Sequence, residues 1–264
     1  MDLISYYNKF NEDKRLLSRH GQVEFNTTMD YILRYINEPE GTRLIDIGAG
    51  TGRYSIYLAS KGYDVTSVEL VKYNLGILKK HAKEELADSQ HLSAYQGDAR
   101  KLKKFEDETF DATLLLGPMY HLHSLEDKVK ALSEAIRVTK KGGVIFVAYV
   151  MADYAVVKHG FMEGHIKDSM AKGALSEDYN VYSDPEELYD YVRLSDIDEI
   201  NRVCPQATRL TIITPDGPAD YIRPVLNEMD EESFKLFLDY QLKNAERPEL
   251  IGAGSHTVDI LRRI

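Results

Sequence analysis

Three acidic residues stand at the ends of three successive apolar runs, and the first run leads into a glycine-rich turn. They are Asp46 in Leu44-Ile45-Asp46-Ile47-Gly48-Ala49-Gly50-Thr51-Gly52-Arg53, Glu69 in Val68-Glu69-Leu70, and Asp98 in Gln96-Gly97-Asp98-Ala99. A buried strand running through a glycine turn into a helix brings together a strand end, exposed amides and a helix N-terminus, where open parallel sheets bind nucleotide-like ligands. The glycines fall at the first, third and fifth positions of the turn, and Arg53 stands at the sixth, where a dinucleotide fingerprint needs a small residue. Asp46, two residues ahead of Gly48, would repel a pyrophosphate and suits a ligand that carries an amino group and no phosphate. Glu69, 17 residues beyond Gly52, can accept both hydroxyl protons of a ribose. Asp98 and the backbone around it can read the amino edge of an adenine.

Such a constellation needs alternating strands and helices to carry it. Strand-length apolar runs occur at residues 43–47, 64–68, 92–95, 112–116 and 144–150, and stretches between several of them have apolar residues at helical spacing. This alternation predicts a parallel sheet with helices on both faces. The clearest helix carries Leu125, Val129, Leu132 and Ile136 on one stripe, begins at Ser124 and is expected to stop at Lys140-Lys141-Gly142. Ser183-Asp184-Pro185-Glu186 reads as another helix start, residues 209–214 and 257–261 as strands, and 219–246 as helical. The looser stretches 151–182 and 218–250 are expected to cover the sheet edge where a ligand binds.

On these residues the chain resembles the class I S-adenosylmethionine-dependent methyltransferases, over about residues 40–150. The resemblance implies a doubly wound, mostly parallel seven-stranded α/β sheet, Rossmann-like, with helical lid insertions and an antiparallel last strand. It also implies S-adenosyl-L-methionine as cofactor. The positions matching the family's glycine loop, Asp46 to Gly52 and so Gly48, Ala49, Gly50 and Gly52, would hold the methionine part. Glu69 with Leu70 would hold the ribose, and Asp98 with Gly97 and Ala99 the adenine; Leu116 ends the fourth strand beside the ligand. The run Phe110 to Leu122, containing Gly117-Pro118-Met119-Tyr120-His121, and Ser18-Arg19-His20-Gly21-Gln22-Val23-Glu24-Phe25 look like variants found in bacterial small-molecule methyltransferases. The expected organisation is an N-terminal helical segment over the cofactor (1–40), a cofactor-binding core (41–150), and lid segments with the last two strands (151–264).

His121, following the fourth strand, is the candidate base for an acceptor that must lose a proton, with Tyr120 beside it. Tyr6, Tyr7, Arg19 and His20 are candidates to fold over the cofactor, Arg19 by holding its carboxylate. The acceptor is expected to be a small molecule. Amino-methylating nucleic-acid enzymes of the family often carry an Asn or Asp and a Pro-Pro pair where Leu116-Gly117-Pro118-Met119 stands here. A net charge of −10, all of it in the last 114 residues, also opposes phosphate binding. One cysteine, Cys204, excludes an internal disulfide and argues against a thiolate metal site, and no metal site is read from the sequence. No apolar run approaches the ~20 residues of a membrane helix, so the expected compartment is the cytoplasm. Three other readings stay open: a sensor that binds S-adenosylmethionine without turnover, a short-chain NAD(P)-dependent oxidoreductase, and an RNA methyltransferase, which the net charge of −10 opposes. The second rests on Tyr154 and Lys158, which reproduce the tyrosine–lysine spacing of that family but lack its upstream serine.

Overall fold

The computed structural model describes residues 18–86 and 91–264. After helix α1 (Arg19–Tyr35) the chain alternates: β1 (Arg43–Ile47), α2 (Arg53–Ser60), β2 (Asp64–Glu69), α3 (Lys72–Glu85), β3 (Leu92–Gln96), β4 (Phe110–Leu115), α4 (Leu125–Val138) and β5 (Thr139–Met151). Beyond β5 come α5 (Ala152–Ala155), a π-helical turn Val156–Met162, α6 (Ile166–Ala171), β6 (Tyr191–Val192), α7 (Leu194–Val203) and β7 (Ala207–Ile213). The last elements are α8 (Arg223–Glu228), α9 (Glu231–Asn244) and β8 (His256–Arg263).

The sheet runs β3-β2-β1-β4-β5-β8-β7, with the two-residue β6 beside β5. β8 is antiparallel to both neighbours, and the first five strands pair in parallel. The order reverses between β1 and β4, so the crevice beyond their carboxyl ends is a topological switch point. The central strands are apolar without alternation because both faces are covered. Ile45, Ile47, Ile145 and Val147 pack toward α4 and α7, while Leu44, Val65, Leu114 and Phe146 meet Met29, Ile32 and Leu58 of α1 and α2. Among the described residues no helix is long and apolar enough to cross a membrane.

Two boundaries differ from the sequence expectation. α4 begins at its Ser124 cap, as expected, but stops at Val138, and Lys140, Lys141 and Gly142 belong to β5. The buried Thr139 bonds Ala135 and Thr113, drawing the chain straight into the sheet. Gly142, at φ 80°, and Gly143 serve the register shift opposite Phe110 and Ala112, since a Cβ at Gly143 would lie 2.6 Å from the Asp111 carbonyl. At Ser183-Asp184-Pro185-Glu186 no helix starts. The Asp184 carboxylate accepts from the Glu186 amide and its carbonyl from that of Glu187, closing a single turn before the chain extends into β6.

Candidate active site

A cavity of about 500 Å³ lies beyond the carboxyl ends of β1, β2, β3 and β4. Gly48 and Gly50 contribute from the β1 turn, Glu69 to Val71 and Asn74 from β2–α3, and Gly97 to Arg100 from beyond β3. Gly117, Pro118, Tyr120 to Ser124 and Asp127 face them, with Pro185 at the margin. Gly48, Glu69 and Asp98 therefore share one cavity although they come from three strands, as the spacing required.

The glycine turn owes its composition to close packing as much as to a ligand. Gly48, Gly50 and Gly52 have φ of 76°, 56° and 94°, which L side chains rarely adopt. A Cβ on Gly48 would lie 2.6 Å from Pro118 Cδ, and one on Gly117 would lie 2.7 Å from the Gly48 carbonyl, so the β1 and β4 loops meet backbone to backbone. The exposed amides expected of this turn are instead engaged. Gly48 and Ala49 donate to the Val68 carbonyl, Gly52 to the Ala49 carbonyl, and Gly50 to Glu69 Oε2 at 2.8 Å. With its amides occupied and a carboxylate inside it, the turn is not a cradle for a pyrophosphate.

Glu69 is almost fully buried, and its second oxygen accepts from the Val71 amide at 2.7 Å. Two backbone donors, one to each oxygen, hold the carboxylate in place. Nearby Asn74 is buried, and its side-chain oxygen has no hydrogen-bond partner among the described residues. Asp98 is clasped by Arg100, whose guanidinium bonds both carboxylate oxygens and whose NH1 reaches Asp127 Oδ2 at 2.7 Å. That guanidinium holds the Asp98 carboxyl below its ordinary range. Arg100 and Asp127 went unmarked in the sequence because a charge pair on exposed segments has no spacing signature.

Asp46 is placed behind the turn rather than on the cavity wall. Its Oδ2 accepts from the Ser55 hydroxyl at 2.6 Å, and Ser67 bonds Ser55 in turn, tying β1 and β2 to α2. Burial, reinforced by the charge of Glu69 and opposed by Ser55, pushes its carboxyl up to about 7. Ala49, Gly52 and Leu116 likewise do not line the cavity. Arg19 is turned away: it bonds the carbonyls of Leu226 and Met229 and Glu231 Oε1, with its guanidinium over the Phe234 ring, joining α1 to α8 and α9. Tyr6 and Tyr7 lie outside the described residues.

The opposite wall is held by contacts to the segment before β6. His121 Nδ1 lies 2.8 Å from the Leu188 carbonyl and His123 Nε2 3.0 Å from that of Glu187. The Asp190 amide donates to the Tyr120 carbonyl, and the buried Lys128 pairs with Asp190 while donating to the Leu122 carbonyl. A carbonyl only accepts, so His121 carries its proton on Nδ1, and the neutral ring has its basic lone pair on Nε2. Burial lowers its pKa to about 4. The ring stacks on Tyr189 at 5.5 Å and meets Tyr120 edge-on at 4.6 Å.

Tyr154 and Lys158, the pair that carried the oxidoreductase reading, both turn to Asp220. The tyrosine hydroxyl donates at 2.6 Å to the oxygen that lies 3.8 Å from the lysine nitrogen. Burial and that carboxylate push the phenol well up, opposite to what a proton donor needs.

Residues 45–147 match the sequence pattern of the family described as methyltransferase domain. A glycine/sarcosine N-methyltransferase of Aphanothece halophytica is 30% identical over 137 residues, which cover 52% of this chain and 50% of that protein. A demethylmenaquinone methyltransferase of Renibacterium salmoninarum is 37% identical over 108 residues, 41% of each chain. The chain thus spans about half the length of the curated relatives it matches. In three dimensions it resembles a protein of Pyrococcus horikoshii OT3, with TM-score 0.61 at 15% identity, covering 98% of this chain and 99% of that one.

Proposed function

Residues 45–147 place this chain among the class I S-adenosylmethionine-dependent methyltransferases, and from that premise we propose that it methylates a small-molecule acceptor. The single observation that carries the reading is Glu69, a buried carboxylate fixed by two backbone amides in the lining of the cavity. The cavity falls in the ~300–1,000 Å³ range of small-ligand sites. Its polar groups also fit: the Glu69 carboxylate and the Asn74 side-chain oxygen would accept from a pair of vicinal hydroxyls, with an adenine between Leu70 and Ala99. S-adenosylmethionine, when bound, supplies a methyl group on a positively charged sulfur.

What remains for the protein is binding and alignment. Glu69 and Asn74 hold the ribose, and Asp98, fixed by Arg100, sets the adenine edge. The close Gly48–Pro118 and Gly117–Gly48 contacts fix the β1 and β4 loops relative to one another, so Tyr120 and His121 stand at a set position beside the donor. Asp46 acts as a positioning residue through Ser55. In-line transfer requires reacting atoms within about 3–3.5 Å, and much of the rate in such reactions comes from that alignment. His121 is neutral at pH 7, and its Nε2 accepts a hydrogen bond from the acceptor and orients it.

The test is direct. Purified protein should bind S-adenosylmethionine by calorimetry, and a mass-spectrometric screen of cell extract should reveal a metabolite gaining one methyl group as S-adenosylhomocysteine forms. Binding without product against a broad acceptor library would make it a sensor. Binding of a nicotinamide dinucleotide instead would end the proposal.

A further inference from the structure

Outside the cavity, three segments remote in sequence bring metal-ligating atoms together. Glu24 of α1, Asp216 of the turn after β7, and His256, the first residue of β8, offer one ligand atom each, all within 4.8 Å of one another. His256 Nδ1 lies 2.8 Å from Asp216 Oδ2 and 3.8 Å from Glu24 Oε2. Asp216 also accepts from the Ser255 hydroxyl on Oδ2 and from the His256 amide on Oδ1, the same hydroxyl lies 3.0 Å from His256 Nδ1, and Gly254 packs so tightly that a Cβ there would lie 2.8 Å from the Asp216 carboxylate.

We propose that Glu24, Asp216 and His256 form a binding site for a divalent cation of the Zn²⁺ class, on the acceptor side of the methyl-transfer cavity. The donor set sets the class: one imidazole nitrogen with two carboxylates suits Zn²⁺ and its transition-metal neighbours, whereas Mg²⁺ and Ca²⁺ take oxygen donors. Donors bound at about 2.0–2.2 Å sit roughly 3–3.5 Å apart around one ion, and the observed separations bracket that range. Three protein donors make an open site, in which a further position is left for water or substrate.

The place of the cluster says what that position is for. The His256 ring centroid lies 6.4 Å from that of Tyr120, which lines the cavity. A cation here draws an acceptor with a hydroxyl, carboxylate or amine to that edge of the cavity and lowers the pKa of the coordinated group. His121, with a pKa near 4, is a poor base for that proton. This use of the ion rests on the methyltransferase reading; the binding of the ion does not.

The experiment uses the full chain, stripped with chelator and titrated calorimetrically with ZnCl₂, with MgCl₂ as control and S-adenosylmethionine binding measured on the same preparation. One Zn²⁺ should bind per chain, at least about a hundredfold more tightly than Mg²⁺. Glu24→Gln and His256→Gln should each weaken Zn²⁺ by at least about tenfold while keeping the wild-type circular dichroism. No saturable Zn²⁺ binding, or equal binding in both variants, would overturn the proposal and leave the cluster as a histidine paired with two carboxylates. If S-adenosylmethionine still binds in that case, the methyltransferase reading stands; if it fails to bind while Zn²⁺ binds, that reading falls and the cation site survives.

Discussion

The half of the cavity proposed to hold the methyl donor is assembled from strand tips that are neighbours in the sheet, whereas the half proposed to take the acceptor is assembled from contacts between segments far apart in the chain. Glu69 and Asp98 follow directly from the ends of β2 and β3, and their positions are set once the parallel pairing is set. Across the cavity, Tyr120, His121 and His123 are held through the carbonyls of Glu187 and Leu188, the amide of Asp190, and the Lys128–Asp190 ion pair. A rigid donor site can be shared by relatives with different acceptors, while an acceptor wall built from an inserted segment can change without disturbing the sheet. The matched region, 45–147, ends before that inserted segment begins.

The largest effect should come from cutting the donor half. Glu69→Ala removes the ligand acceptor and strands the amides of Gly50 and Val71, so affinity for S-adenosylmethionine should fall by about a hundredfold, near 3 kcal/mol, by calorimetry. An affinity within threefold of wild type would separate Glu69 from the donor site and erase the contrast between the halves.

This contrast also explains what was legible in the sequence. The parallel core could be read because both faces of β1, β4 and β5 are buried and their residues form continuous apolar runs. The glycine turn could be read because positive φ and close approach permit little else at Gly48 and Gly52. Asp46 stands on the expected strand, but its carboxylate bonds Ser55 rather than lining the cavity, because a pattern of residue types does not say which way a carboxylate at a strand end turns. The cap at Asp184 looked like a helix start because the local signal is the same; only the tertiary contacts of residues 187–190 keep the chain extended. Arg19, which belonged to a motif near the ligand, turned out to join α1 to α8 and α9, and no local pattern distinguishes those roles.

The acceptor half should respond most to Lys128. The lysine is 4% exposed and its partner Asp190 17%, so Lys128→Met leaves a largely buried carboxylate unpaired. Thermal or urea unfolding should show a loss of about 2–3 kcal/mol, and hydrogen exchange should quicken over residues 183–192 while donor affinity stays within about twofold. Loss of donor affinity in parallel would show the halves to be one unit.

His121→Phe should act more weakly. It keeps the stack on Tyr189 and loses the bond to Leu188, for about 1 kcal/mol of stability. Turnover of the identified acceptor should drop with donor affinity unchanged. In the wild type the rate should show no inflection near pH 6.5, because the histidine stays neutral down to about pH 4. An inflection that disappears in the variant would make His121 a titrating base with an ordinary pKa.

The mildest substitution is Asp46→Asn, which keeps the shape and the acceptor for Ser55. Its interest is the pH dependence. The folded carboxyl, raised to about 7 from an ordinary 3.8, holds a proton that the unfolded chain releases, so its contribution to stability is full below pH 3.8 and is lost as pH rises through 7. His121, lowered to about 4 from 6.5, works in the other direction: its contribution is full above pH 6.5 and is lost as pH falls toward 4. Between these limits the two halves of the cavity oppose each other. Removing the Asp46 titration should make the variant gain stability relative to wild type from pH 5 to pH 8, followed by urea midpoint, while donor affinity changes by less than about fivefold. A parallel pair of stability curves would mean that Asp46 is ionised throughout, and would put a full negative charge, rather than a shared proton, behind the glycine turn.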